Sequence, residues 1–472
     1  MGSDWSAGKP LPILVRISVA ATSMDPTRRH LLAASLAAGA CAALPAIAAA
    51  PSARSVLAPR PPMGWNSWNS FATTITEAQA LDNARIMADK LLPFGYDVFT
   101  VDIQWYEPDA NGYAYRKDAA LAMDGYGRLL PAPNRFPSAQ GGVGFRTLAD
   151  RVHALGLKFG IHVMRGIPRQ AVRANTPILG TSLHARDIAD TGSICTWNGD
   201  MYGIDMTKPG AQAYYDSVFR LYASWGVDFV KMDDMSRPYE KNWREIEGAH
   251  RAIAAGGRDI VLSLSPGETD LRWARHVPRY AQMWRVSDDF WDEWKLLAEQ
   301  FQRLENWNVT MGPGAWPDAD MLPLGRLALG ERDTRFTPDE QQTLMTLWAV
   351  ARSPLIMGGD LRRLDAPTLA LLTNRDVLAV NQDSSDNRPH RADAGTRIWS
   401  ARANGRESLQ YLALFNTGEH PVDIAFDLSR LDLGDRSVAV RDLWTGRDVG
   451  TAQGMLRRTL APHASALFGI AG

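Results

Sequence analysis

The chain has 472 residues, 45% of them hydrophobic and 22% charged, with a net charge of −1. This is the balance of a globular protein large enough for a catalytic domain plus a smaller module. Near-neutrality leaves no electrostatic footprint for nucleic acid or for an anionic membrane surface.

The first fifty residues read as an address. Thr27-Arg28-Arg29-His30 opens an Ala- and Leu-rich run over 31–50. Its charged, apolar and small-residue regions match an export signal. The paired arginines point to the twin-arginine route, hence to a periplasmic or extracellular protein, with Met24 as a candidate start. The run is Ala-rich and barely long enough to span, so no stable membrane association is expected. Cys41 would leave with the signal, and Cys195 alone cannot form an intramolecular disulfide. The expected domains are a leader and signal over 1–50, a catalytic barrel over 51–390 and a β-sandwich over 391–472.

Past the signal, short β-branched runs alternate with amphipathic stretches. Strands are predicted over 97–102 (DVFTVD), 158–164, 228–233, 259–265, 282–287 and 353–358, and helices over 76–91, 144–155, 210–225 and 242–255. Alternation of this length implies a parallel sheet closed into a (β/α)₈ TIM barrel. An open doubly wound sheet is disfavoured, since no GxGxxG opens the first unit. After residue 391 the runs 396–401, 409–415, 422–426 and 438–443 alternate between Asn, Gly, Asp and Pro breaks. They predict a C-terminal antiparallel β-sandwich.

Chemistry in a barrel sits at the C-terminal ends of the strands. Here those ends are Asp102, His162, Asp233, Ser265 and Ser287-Asp288-Asp289. Period-two alternation puts Phe229, Lys231 and Asp233 on one face. If that face is the inner one, Lys231 lies beside Asp233 and balances its charge, as a carboxylate nucleophile requires. Arg285, Ser287 and Asp289 share a parity if their strand stays regular, and Asp289 could then supply a proton to a leaving oxygen. Two carboxyls about 5–5.5 Å apart would give retention through a covalent intermediate. The 16 tryptophans serve the core or act as sugar platforms. No HExxH, CxxC or EF-hand pattern suggests a metal, and no cofactor is expected. Spacing alone goes no further than a hydrolase with a paired-carboxylate site.

Residues 62–71, PMGWNSWNSF, resemble the opening motif of glycoside hydrolase family 27, the α-galactosidase and melibiase family. Lys231-Met232-Asp233 resembles its nucleophile strand, Lys-aromatic-Asp. Trp284-Arg285, with Asp289 four residues after the Arg, resembles its acid/base strand. Residues 316–322, WPDADML, resemble its WNDPDML, and 347–360 and 380–383 (VNQD) its last helix and exit. The motifs follow in the family's order from about Arg60 onward. The resemblance implies a retaining exo-glycosidase that releases terminal α-D-galactopyranosyl residues from an oligo- or polysaccharide. Asp233 would be its nucleophile and Asp289 its acid/base. Trp68 would floor the sugar site, Asp102 would hold the axial 4-hydroxyl side, Lys231 would reach the 3- and 4-hydroxyls, and Arg285 and Asp320 would sit near the 2-hydroxyl.

The departures concern specificity. The family usually carries two adjacent acids after the second strand, then Cys-Trp; here the run is Asp102-Ile103-Gln104-Trp105. His162 replaces a Tyr, followed by Met164-Arg165-Gly166-Ile167-Pro168. The Cys-Glu-Trp loop that reads the C2 substituent becomes Leu264-Ser265-Pro266-Gly267, and the Cys after the nucleophile becomes Met235. Ile103, His162 and Ser265 therefore belong to an altered sugar pocket. The run GIHVMRGIPRQAV resembles a branch that includes β-L-arabinopyranosidase/α-galactosidase proteins. β-L-Arabinopyranose is α-D-galactopyranose without its hydroxymethyl group, so β-L-arabinopyranosidase, or dual activity, is the second reading. His162 or Gln104 as a substitute donor to the 6-hydroxyl keeps α-galactosidase first. A non-catalytic carbohydrate-binding protein is the third reading, and the presence of both Asp233 and Asp289 argues against it.

Overall fold

The computed structural model describes residues 56–472. Arg28-Arg29, Cys41 and the expected cleavage region lie outside the described residues. Eight parallel strands follow one another: β1 (Met63–Asn66), β2 (Val98–Val101), β3 (Lys158–Met164), β4 (Phe229–Asp233), β5 (Val261–Leu264), β6 (Met283–Arg285), β7 (Trp316–Asp318) and β8 (Leu355–Met357). Their hydrogen-bonded order is β7-β6-β5-β4-β3-β2-β1-β8. Just past β7, the Leu322 amide donates to Ile356 O at 2.7 Å, and Leu322 O accepts from the Gly358 amide at 3.0 Å, which closes the ring.

The outer helices are α1 (Glu77–Lys90), α2 (Arg146–Ala154), α3 (Ala211–Trp225), α4 (Tyr239–Ala255), the short α5 (Val277–Tyr280), α6 (Trp294–Trp307) and α7 (Pro338–Val350). Two more, α8 (Ala366–Thr373) and α9 (Arg375–Gln382), follow β8. The sequence shows why several begin where they do. Thr76 and Gln79 form a reciprocal capping box on α1, as Thr337 and Glu340 do on α7, whose first residue is Pro338. None of the described helices is long and apolar enough to cross a membrane.

Inside the barrel, Val98, Phe229, Met283, Trp316 and Ile356 from five strands form one buried layer. Phe229 belongs to it, so the inner face of β4 is the face that carries Lys231 and Asp233. Between β3 and α3 the chain leaves the barrel to build a small antiparallel sheet from Ile167–Pro168, Ala189–Ile194 and Met201–Ile204. Gly166 makes that exit possible: its φ is +92°, and a Cβ there would lie 1.8 Å from Tyr202 O.

The C-terminal strands are β9 (Ser384–His390), β10 (Thr396–Ala403), β11 (Leu409–Asn416), β12 (Val422–Asp427), β13 (Ser437–Asp442), β14 (Arg447–Gln453), β15 (Met455–Leu460) and β16 (Ser465–Ala471). They run in the order β9-β10-β11-β16-β13-β14-β15-β12. The antiparallel sheet thus begins at Ser384, ahead of the expected residue 391, because β9 pairs with β10. Ile398 and Leu412 share one core with Ile424, Phe426, Leu456 and Leu460, so the ladder folds over on itself as a sandwich. Its other face is continuous with the barrel. Trp399, Tyr411 and Phe415 join the barrel's buried cluster, and Gln342 and Thr343 of α7 donate to Ser465 O and His463 O.

Cys195 is a free, buried thiol, and burial pushes its pKa up to about 12. The melting temperature is therefore expected to be the same with and without dithiothreitol. A marked fall under reductant would reveal a stabilising disulfide.

Candidate active site

A cleft of about 590 Å³ opens where the strands end, lined among others by Trp68, Asp102, Ile103, Lys231, Asp233 and Asp289. Four strands supply its floor, and each does so at its last residues or just beyond. At β1, Asn66 links two of them. Its Oδ1 accepts from the Trp68 amide at 2.9 Å, and its Nδ2 donates to Asp102 Oδ2 at 2.7 Å.

Asp233 ends β4 and is buried. Each carboxylate oxygen meets one donor: His162 Nε2 lies 2.8 Å from Oδ2, and the Asp234 amide donates to Oδ1 at 2.7 Å. Two donors from different directions fix the orientation of the carboxylate. Lys231 shares the inner face of β4 with Asp233, as expected, but its direct hydrogen bond goes elsewhere. Its ammonium hydrogen-bonds Asp102 Oδ2 at 2.9 Å, because the end of β2 offers a wholly buried carboxylate at that level. Burial alone would raise the Asp102 pKa, but Lys231, His162 and Asn66 outweigh it and hold the carboxyl below its usual range. Burial likewise opposes the Lys231 charge, while Asp102 first and Asp233 second push the ammonium up to about 12. Removing one member of such a buried pair costs about 3–5 kcal/mol.

The other wall is acidic and held by one arginine. Arg285, buried at the end of β6, places Nη2 2.8 Å from Asp320 Oδ2 and Nη1 3.3 Å from Asp289 Oδ1. Asp320 has a φ of +82°, a left-handed conformation that costs energy in a residue with a Cβ. Its amide donates to Asp318 Oδ1, and its Oδ2 accepts from the Phe290 amide at 2.8 Å. Burial pushes the Asp320 carboxyl up to about 6, against the pull of Arg285. Asp289 differs from its neighbours, since its side chain is 51% exposed and reaches the cleft.

Other expected sugar contacts are repositioned. His162 is fully buried and spends Nε2 on Asp233, so it orients that carboxylate instead of lining the cleft. Gln104 donates to Asp200 Oδ2 at 2.6 Å and is likewise buried, so its amide is committed. Ser265 is buried, and the cleft wall beside it is made by Pro266 and Gly267. Arg285 and Asp320 are spent on each other and on Asp289 behind the lining. Trp68, Asp102, Ile103 and Lys231 do line the cleft.

Comparison with known proteins matches this arrangement to one group. The family model described as alpha galactosidase A matches residues 180–383, and the alpha galactosidase C-terminal beta sandwich domain matches 393–470. Alpha-galactosidase 3 of Arabidopsis thaliana is 30% identical over 402 residues, 83% of this chain and 77% of that protein. The chain belongs to glycoside hydrolase family 27. It is a glycosidase of the α-galactosidase type. Among solved structures, a GH27 β-L-arabinopyranosidase from Geobacillus stearothermophilus is 50% identical with a TM-score of 0.86, covering 88% of this chain and 97% of that one. A putative α-N-acetylgalactosaminidase from Bacillus halodurans C-125 is 46% identical with a TM-score of 0.80, covering 88% and 98%.

Sequence reasoning missed several groups around this family 27 site. Tyr115 and Trp197 line the cleft from long excursions with no periodicity to mark them. Arg165 binds Asp234 through Nη2 at 2.8 Å and Nε at 3.1 Å, and reaches Glu245 through Nη1 at 2.6 Å. Its amide also donates to Asp233 O at 3.0 Å, which anchors the end of β4. The unusual Met164-Arg165-Gly166 run was the available signal.

Proposed function

We propose that this protein is an exported, retaining exo-glycosidase of galacto-configured pyranosides that accepts both α-D-galactopyranosides and β-L-arabinopyranosides and favours the latter. Asp233 attacks the anomeric carbon as the bond to the leaving oxygen breaks, and Asp289 protonates that oxygen. Water then attacks the glycosyl–Asp233 ester, giving its proton to Asp289 and restoring both carboxyl groups. Asp102, buried, and Lys231, partly buried and paired with it on the floor, are placed to bind sugar hydroxyls. Trp68 offers an aromatic face to the ring. Export rests on Arg28-Arg29 and the run after it.

The observation that carries the sugar preference is Ile103. Its apolar side chain lines the cleft directly beside Asp102, where the family usually has a second acid. Gln104 and His162, the two nearby candidates for a substitute donor, are committed to Asp200 and Asp233. A 6-hydroxyl facing Ile103 lacks a charge-assisted partner, a loss of about 1.5–3 kcal/mol. β-L-Arabinopyranose has no such hydroxyl. The similarity to the Geobacillus arabinopyranosidase, solved also in complex with arabinose, supports the same preference. Ile103→Asp is expected to shift the kcat/KM ratio for p-nitrophenyl α-D-galactoside over β-L-arabinopyranoside toward galactoside by roughly 10–100-fold. An unchanged ratio would mean that residue 103 does not read the C5 substituent.

A further inference from the structure

The cleft is wider than one sugar's contacts explain, and its outer part has its own chemistry. Trp197 and Ile194 are 38% and 50% exposed, unusual for large apolar side chains, and both line the cleft. Exposed apolar surface at the edge of a site marks a place where something else packs. Trp197 also continues a series of rings. Trp68 stacks on Tyr115 at 6.4 Å with 6° between planes, and Tyr115 meets Trp197 at 5.7 Å. The outermost ring is thus braced from the floor.

Its loop is fixed as well. The Cys195 thiol accepts backbone hydrogen bonds from Trp197 and Asn198. Asn198 Nδ2 donates to Asp200 Oδ2 at 3.1 Å, the same oxygen that takes Gln104 and Tyr106. The ring is therefore presented in advance, with little ordering left to do on binding.

The polar complement is the Arg237–Asp288 pair. Arg237 Nη1 and Nη2 lie 3.0 and 2.6 Å from the two Asp288 oxygens, and both residues line the cleft. Asp288 directly precedes Asp289, so a leaving group protonated by Asp289 departs past this pair. A second cavity of about 500 Å³ shares Arg237 and Pro238 with the cleft, which leaves room for the chain to continue.

We propose that the mouth of the cleft is a leaving-group subsite for a neutral pyranose, which stacks on Trp197 and hydrogen-bonds to the Arg237–Asp288 pair. The inference rests on Asp289 being the acid/base. Charge decides against an acidic sugar. With Asp289 carrying its proton, the lining still sets Asp102, Asp233, Asp234 and Asp288 against Lys231 and Arg237, an excess of negative charge. A uronic acid would meet net negative potential there.

Glycosyl fluorides separate this subsite from the catalytic centre, because fluoride leaves without occupying it. For Trp197→Ala, kcat/KM on melibiose is expected to fall about 5–10-fold, while α-D-galactosyl and β-L-arabinopyranosyl fluorides change less than about twofold. Trp197→Phe should restore most of the loss. The wild type should hydrolyse melibiose faster than the same galactosyl group carried on glucuronic acid. With fluoride as donor and methyl β-D-galactopyranoside as acceptor, Trp197→Ala should also lose transglycosylation product relative to hydrolysis. An equal fall on fluoride and disaccharide, no fall on melibiose, or no preference against the glucuronic-acid leaving group would overturn the subsite. A wild type inert on both fluorides would instead overturn the catalytic reading beneath it.

Discussion

Asp233→Asn is expected to lower kcat by on the order of 10⁴-fold or more while leaving the melting temperature nearly unchanged. The amide keeps the shape of the carboxylate. Its oxygen can still accept from the Asp234 amide, and its NH₂ group can face the His162 ring, which serves as donor or acceptor according to tautomer. What it loses is the anionic oxygen that the proposed nucleophilic attack requires. Asp233→Ala opens a gap on that face of the sugar, so azide is expected to restore turnover of an activated aryl glycoside and to give a glycosyl azide of inverted anomeric configuration. That product distinguishes a missing nucleophile from a damaged site. Near-normal kcat in Asp233→Asn would move the role elsewhere. The neighbouring carboxylate is a poor substitute, since Arg165 holds the Asp234 side chain in a two-pronged pair.

The fold was legible because barrel strands announce themselves twice, by β-branched runs and by polar residues at their ends. The parity of β4 was legible for the same reason: Phe229 lies in the inner layer, and Lys231 and Asp233 follow it at intervals of two. What alternation does not reveal is which side chain stands across from which. Lys231 found Asp102, which is 129 positions away, and Asp233 found His162, which is 71 away. Those pairings depend on how the strands are staggered around the ring, a property of the closed sheet and not of any one strand. The regularity assumed beyond Arg285 also fails. β6 stops there, Ser287 is buried and accepts from Gln300 of the outer helix α6 at 2.9 Å, and Asp289 reaches the cleft from a loop. The aromatic mouth was hidden for a further reason. Tyr115 and Trp197 lie in segments whose conformation is set by tertiary hydrogen bonds, and such segments carry no periodic trace.

Asp289→Ala is expected to show a selective loss that identifies a general acid. A substrate with a poor leaving group, such as a disaccharide, needs its departing oxygen protonated as the bond breaks. Its kcat/KM should fall by about 10²–10⁴-fold. A 2,4-dinitrophenyl glycoside leaves as a stable anion and should lose far less in the first step. Asp288 is the competitor, one residue away and also in the cleft. The structure separates the two by their partners. Asp288 faces two guanidinium nitrogens of Arg237 at 2.6 and 3.0 Å, so both of its oxygens are engaged. Asp289 has one longer contact, Arg285 Nη1 at 3.3 Å, and that guanidinium is shared with Asp320. Its side chain is half exposed and lines the cleft, so a leaving oxygen can reach it. Asp288→Ala should weaken disaccharide turnover only through KM, with no dependence on leaving-group acidity. An equal loss on both substrate classes in Asp289→Ala, or a steep leaving-group dependence in Asp288→Ala, would exchange the two roles.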